Sequence, residues 1–419
     1  MEEKKASSSL NSEKGWILVD QKNTTLLITG ASHGLVHLLM LALPFITAKL
    51  LLITPVPPGT EGLVVILLNT PAYFIFGFGA LPAGVMSDRI GPRLTIALGL
   101  LLSIGSGIAL FFLWPFGIGM IALLFVVYAF GAGLYHPAGT AWVSNTFEKD
   151  RGKALGRHGI GGSFGQLAAP LISAFILSTV FWPVIFLFLA GVGFVLAFVL
   201  LRVHIEPHTV QVEPEKDTNS SRGFFSRMTP VVMIIVTLVF AGRGMLYRGA
   251  VTALPIYITD EIGALLLLAG FLGTLVYVGG IFGQELGGRL TDNFGWKNTL
   301  VYMSLLTSIS LLLLSIPYAP TLFNDALLIF AILLFGFSFF SAQAASNTMV
   351  ADLSDPQSRG LVFGWSFFAR FGLGAFGIVI IGLSQVYLGS WIYGFYAMAL
   401  LGILSAVLVP LVYQRQTRE

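Results

Sequence analysis

Twelve apolar runs, each long enough to cross a bilayer, follow one another along almost the whole chain, and their succession limits the fold more than any single motif does. A run of about twenty apolar residues satisfies its backbone hydrogen bonds inside lipid by forming an α-helix. The predicted spans cover 24–53, 61–85, 93–114, 118–146, 153–180 and 182–202, then 229–258, 264–288, 297–316, 324–350, 358–384 and 390–413. One long polar stretch separates the sixth from the seventh. The expected organisation is therefore a segment over 1–23, a six-helix bundle over 24–203, a linker over 204–228, a second six-helix bundle over 229–413 and a tail over 414–419. The fold class is all-α and polytopic, with the lipid bilayer as its solvent.

With 10% of residues charged, the position of each charge is informative. Nineteen of the 23 Lys and Arg fall on one side of the spans, which makes that side cytoplasmic and places both termini on it, in a plasma (inner) membrane. The first 23 residues are too polar and acidic for a signal peptide, so the first span anchors the chain. Basic residues stand singly between spans and form no stripe, which argues against a nucleic-acid partner. The absence of cysteine rules out disulfides and thiolate chemistry. No phosphate-binding loop is present, since Gly152-Lys153 is followed by Ala154, and no hydrolase elbow or H-E-x-x-H helix occurs. The reading is thus not an enzyme and needs no cofactor; ion or solute gradients must drive it. A membrane sensor is the competing class, but it would need a signalling domain for which the linker and tails leave no room.

A short turn motif occurs twice, 204 residues apart. The first copy runs from Gly84 through Asp88, Arg89, Gly91 and Arg93; the second runs from Gly288 through Asp292, Asn293, Gly295 and Lys297. In each, a small residue lets helices approach, a carboxylate follows, a glycine turns the chain and a cation opens the next span. Other matches keep a similar offset: residues 31–34 with 241–244, Leu43-Pro44 with Leu254-Pro255, and Arg151-Gly152 with Arg359-Gly360. Two parallel six-helix repeats follow.

Residues 84–93 match G-x-x-x-D-[RK]-x-G-[RK]-[RK] except at Pro92, and the chain thereby resembles the major facilitator superfamily. Gly133-Leu-Tyr135-His136-Pro137, followed by Arg157-His158-Gly-x-Gly161-Gly162-Ser-Phe-Gly165, is similar to fosmidomycin-resistance-type exporters. Gly152, Gly161 and Gly165 keep the spacing that opens the antiporter signature of drug exporters, with Gln166 where proline is expected; close packing of glycines is the alternative reading. The resemblance implies a carrier working by alternating access, with proton antiport and efflux; a proton-coupled anion importer is the alternative, and a monomer is expected. It also implies a latch in which Asp88, with Arg89 and Arg93, closes on the start of span 11 near Arg359. Asp292 would do the same on the start of span 5 near Arg151.

Arg243 and Arg370 lie 16 and 11 residues beyond Arg227 and Arg359, which takes both to mid-membrane, where each costs about 2.5–3.5 kcal/mol unless it faces a wet cavity or a partner. Arg248 lies about 140° around the helix from Arg243, whereas Tyr247 can share its face. Glu285 is the one carboxylate well inside a span, and it is a candidate for proton coupling or for pairing with an arginine. Excess positive charge in the interior suits an anionic small-molecule substrate; pairing for structure alone is the alternative. His33 and His37 share one face of span 1, and His136 lies midway along span 4. By the resemblance, these spans line a central cavity opposite Arg243, Gln343 and Asn347. Three readings of the histidines stand: proton or substrate ligands, structural hydrogen bonding, or a transition-metal site in a metal exporter. No resident metal is assigned. His158, near the end of span 5, reads as structural.

Overall fold

The computed structural model describes residues 21–147, 151–202, 230–353 and 359–416, all of its regular structure helical. The expected N-terminal segment, apart from residues 21–23, the linker 204–228, and residues 417–419 of the expected tail lie outside the described residues. The first half comprises α1 (Gln21–Ile53), α2 (Glu61–Ile90), α3 (Pro92–Leu113), α4 (Ile118–Gly133 continued by Tyr135–Thr146), α5 (Arg151–Thr179) and α6 (Val184–Arg202). The second begins with α7 (Pro230–Ile256), which ends in a wider π-helical turn, Tyr257–Glu261. A 49-residue helix, Leu266–Leu314, follows and is broken at Gly295 into α8 (266–294) and α9 (296–314). The half closes with α10 (Leu322–Leu353), α11 (Arg359–Phe371 and Phe376–Leu388) and α12 (Ile392–Gln416). Eleven described helices are long and apolar enough to cross a membrane; the 49-residue one is long enough for two crossings, which gives twelve spans among the described residues.

Both turn glycines adopt one backbone conformation, φ 84°, ψ 152° at Gly91 and φ 76°, ψ 156° at Gly295. A side chain is strained at that φ, so the duplicated motif is a duplicated backbone turn. Two spans expected to be continuous are interrupted. α4 breaks at Leu134, just ahead of Pro137, whose missing N–H is tolerated in the first turn of the second piece. In α11 a 3₁₀ turn, Leu373–Ala375, separates the pieces, in a stretch with glycines at 372, 374 and 377. His136 and Arg370 sit beside these breaks.

Within each half, glycines let backbones touch. A Cβ on Gly161 would lie 2.2 Å from Gly30 O and one on Gly165 2.1 Å from Gly34 O, so α5 packs directly on α1. The equivalent α7–α11 pair meets at Gly244 and Gly377, where a Cβ would lie 2.1 Å from Arg370 O and 2.0 Å from Met245 O. The antiporter-like glycines Gly161 and Gly165 are thus accounted for by packing; the surroundings of Gly152 lie outside the described residues.

The halves meet at the centre and at the face away from the turn motifs. There Gln385 accepts from Gly62 N (2.9 Å) and donates to Glu61 Oε2 (2.7 Å), and Thr274 donates to Leu167 O (3.3 Å). A Cβ on Gly62 would lie 2.0 Å from Gly382 O. At the opposite face, Gly84, Gly156, Gly288 and Gly364 all have open space where a Cβ would be. Among the described residues, the small residues that begin the two turn motifs therefore mediate no helix contact in this state. The turn-motif face is, among these same described residues, the open one and the other is closed.

Candidate substrate and coupling site

Four imidazoles gather in the first half. His33 and His37 are one turn apart on α1, with Nε2 atoms 3.1 Å from each other. The His136 ring lies 5.3 Å from His33 and 5.4 Å from His37, and its Nδ1 is buried with no hydrogen-bond partner. His158 stacks on His33 at 4.7 Å; its Nε2 is 3.3 Å from the Tyr135 hydroxyl and its Nδ1 3.3 Å from Thr29 Oγ1. Tyr135 in turn donates to Thr29 O. Gly162 makes room for this: a Cβ there would lie 2.4 Å from the His33 ring. His158 is structural in the sense that it fixes Tyr135 and Thr29, yet it belongs to the cluster, which sequence spacing alone did not reveal. The ligand nitrogens of His33, His37 and His136 all lie within 4.8 Å of one another, and three imidazoles at this separation suit a late first-row divalent ion after a modest closure.

The second half supplies cations. Arg243 is buried and held within its own half, donating to Ser304 Oγ (2.8 Å) and Phe339 O (3.2 Å). Tyr247 stacks on Phe339 (4.4 Å), and its hydroxyl lies 3.2 Å from that of Tyr277. Arg370 donates to Asn347 Oδ1 (3.0 Å) and lies over the Phe240 ring, while its Nε and Nη2 are buried without partners. Gln343 is half-buried on the same helix as Asn347. Arg248 points elsewhere, as the 140° separation requires: its guanidinium lies 3.9 Å over the ring of Tyr73 in the first half. Glu285 is a correction. It is exposed and pairs with exposed Arg289 at 2.7 Å, so the structure brings it to none of Arg243, Arg248 and Arg370. Helix phase, not depth, turns it outward, on the face that also exposes Phe282 and Leu286.

The Major Facilitator Superfamily model matches residues 24–378 and again 232–419. The chain belongs to the major facilitator superfamily. The second match begins at α7, in keeping with two repeats. Among solved structures, a D-xylose–proton symporter superposes with a TM-score of 0.77 at 14% identity, covering 93% of this chain and 97% of that one. A nucleoside transporter gives 0.74 at 14%, covering 93% and 100%. A bacterial homologue of the human lysosomal transporter Spinster, inward-facing and unoccupied, gives 0.71 at 14%, covering 94% and 96%. At that identity these likenesses establish the fold. No curated protein matches the sequence. The family makes this chain a membrane transporter for a small molecule and not an enzyme.

We propose, as the family resemblance implies, that the two turn motifs act as latches on the open face. Asp88, Arg89 and Asp292 are exposed and Arg93 half-buried, while the side chains of Arg151 and Arg359 lie outside the described residues. A carboxylate is favoured at a helix N-terminus, and each latch should shift a balanced two-state equilibrium by about five- to thirtyfold. Asp88→Asn should therefore raise the share of turn-face-open protein and slow transport without lowering the thermal midpoint. Unchanged labelling of a cysteine placed at Gly84 in that background would count against the latch.

Proposed function

We propose that this transporter moves a small organic anion by alternating access, coupled to protons through the α1 histidines, in the inner membrane with both termini cytoplasmic. The observation that carries the reading is a surplus of buried cation. No described carboxylate pairs with Arg243, Arg248 or Arg370, and Arg370 keeps two buried N–H groups unpartnered. A bound anion supplies what these groups lack. Tyr135, Gln343 and Asn347 would add neutral hydrogen bonds that orient it.

The charge arrangement sets the sign of coupling. His37 packs against His33 and His136 of its own half, and the charges of His158 and of Arg248 from the other half act on it. A proton gained by His37 adds positive charge beside these groups, and a nearby anion offsets it. Proton and anion then strengthen one another's binding, as movement in the same direction requires. Affinity for the anion should rise as pH falls, by at most about tenfold per pH unit for one linked proton. Efflux by antiport is the second reading, supported by the exporter-like residues 133–137 and 157–165; it needs proton and anion to compete. A metal exporter using His33, His37 and His136 is a third, supported by the 4.8 Å clustering of their nitrogens.

Uptake into proteoliposomes separates the three. An inward proton gradient should drive accumulation of an organic anion, and Arg370→Gln should reduce it tenfold or more. Accumulation driven by an outward proton gradient would select antiport. Zinc-dependent stabilisation lost in His33→Ala, with anion transport indifferent to Arg370, would select the metal reading.

A further inference from the structure

Arg248 has features that its neighbour Arg243 lacks. Both are 4% exposed, but the Nε of Arg248 is buried with no hydrogen-bond partner, and its side chain reaches across the boundary between the halves. Its guanidinium lies over Tyr73 of α2, with the rings of Tyr247 and Phe371 5.6 and 5.7 Å away. Tyr73 is itself fixed by donating to Met40 O (2.7 Å). Arg243, by contrast, spends its donors on Ser304 and Phe339 inside one half.

An apolar cleft begins one turn away. Its lining comes from both halves: Pro44 and Phe45 of α1, Pro170 of α5, Val251 of α7, and Val276 and Tyr277 of α8. Val251 lies three residues beyond Arg248 on one helix, and Leu41, also in the lining, lies four beyond His37; each pair shares a helix face. The Tyr277 hydroxyl meets that of Tyr247 at the same end. The lining is thus apolar but for Tyr277, and Arg248 stands one turn away along α7. In this state it holds only about 10 Å³, room for about one water, so a hydrocarbon body enters only as the far face opens and the halves separate along this surface.

We infer that the transported anion is amphipathic, its charged head on Arg248 and its hydrocarbon body in this cleft. The inference rests on the anion reading and narrows it to organic acids with a short apolar body. A mostly apolar site with one cation fixing orientation is the usual construction for such ligands. Burial of each methylene should tighten binding by about fourfold until the cleft is filled.

The test is equilibrium binding of straight-chain carboxylates from acetate to octanoate, and of alcohols of the same lengths, to the full-length protein in lipid nanodiscs. The expected result is carboxylate affinity that climbs with chain length and then levels, no binding of the alcohols, and at least tenfold weaker carboxylate binding in Arg248→Gln with partial recovery in Arg248→Lys. Val251→Leu shortens the cleft without touching the guanidinium, and should move the plateau to a shorter chain; it keeps the test decisive if Arg248→Gln fails to fold. Hydrophilic anions bound equally in wild type and Arg248→Gln, with no dependence on chain length, would overturn the inference while leaving the anion reading intact. Failure of every anion to bind would overturn both.

Discussion

Gly165→Leu should remove most of the folded protein. The Cβ alone would lie 2.1 Å from Gly34 O and 2.5 Å from Gly34 Cα, and both are backbone atoms in a helix that cannot give way locally. Overpacking against side chains costs about 1–3 kcal/mol and occasionally more; against backbone the α1–α5 pair must come apart, and the histidine cluster built on it with it. Gly156→Leu, on the same helix but facing open space, should fold normally. Detergent-solubilised yield and thermal midpoint of the two variants read the difference. Equal behaviour would mean that α1 and α5 do not pack as described.

A glycine at the boundary between halves should behave differently from one inside a half. In Gly62→Leu the new Cβ would lie 2.0 Å from Gly382 O, and the side chain would displace Gln385 from Gly62 N. Each half remains intact, so the protein should stay folded but abandon the state closed at this face. Overpacking of about 1–3 kcal/mol moves a two-state equilibrium about five- to 150-fold. A cysteine at Val276, which lines the closed cleft, should then label far faster than in the parent. Gly84→Leu, which fills open space on the parted face, should obstruct its closure and slow the same labelling. Val276 labelling that is unchanged in both variants would contradict assignment of the two faces as closed and open.

The architecture was legible because it is local and repeated. Apolar runs mark spans wherever lipid is the solvent, and the glycines at 91 and 295, read as turns, adopt the same left-handed backbone. The His33–His37 pair follows from one turn of helix. What the sequence left open is non-local. A helical wheel separates Arg243 from Arg248 but cannot say which of them looks across the boundary; that is decided by Ser304 and Phe339 receiving one and Tyr73 the other. His158 joins the cluster because glycines bring α5 against α1, and only the packed pair shows which α5 residue meets His33. Depth alone places Glu285 inside a span, but helix phase turns it outward, and the Glu285–Arg289 spacing of four residues is the sequence signal for that outward-facing pair. The breaks in α4 and α11 fall among glycines and a proline that also occur in unbroken spans, so composition alone did not locate them.

The central claim is a buried anion site whose occupancy is linked to protonation of the adjoining histidines. Its most direct test is calorimetric titration of one organic carboxylate and its neutral amide isostere into the purified transporter at pH 6 and pH 8. The expected result is binding of the carboxylate alone, tighter at pH 6, with proton uptake on binding that His37→Gln abolishes. Equal binding of the amide, or carboxylate binding accompanied by proton release, would contradict it.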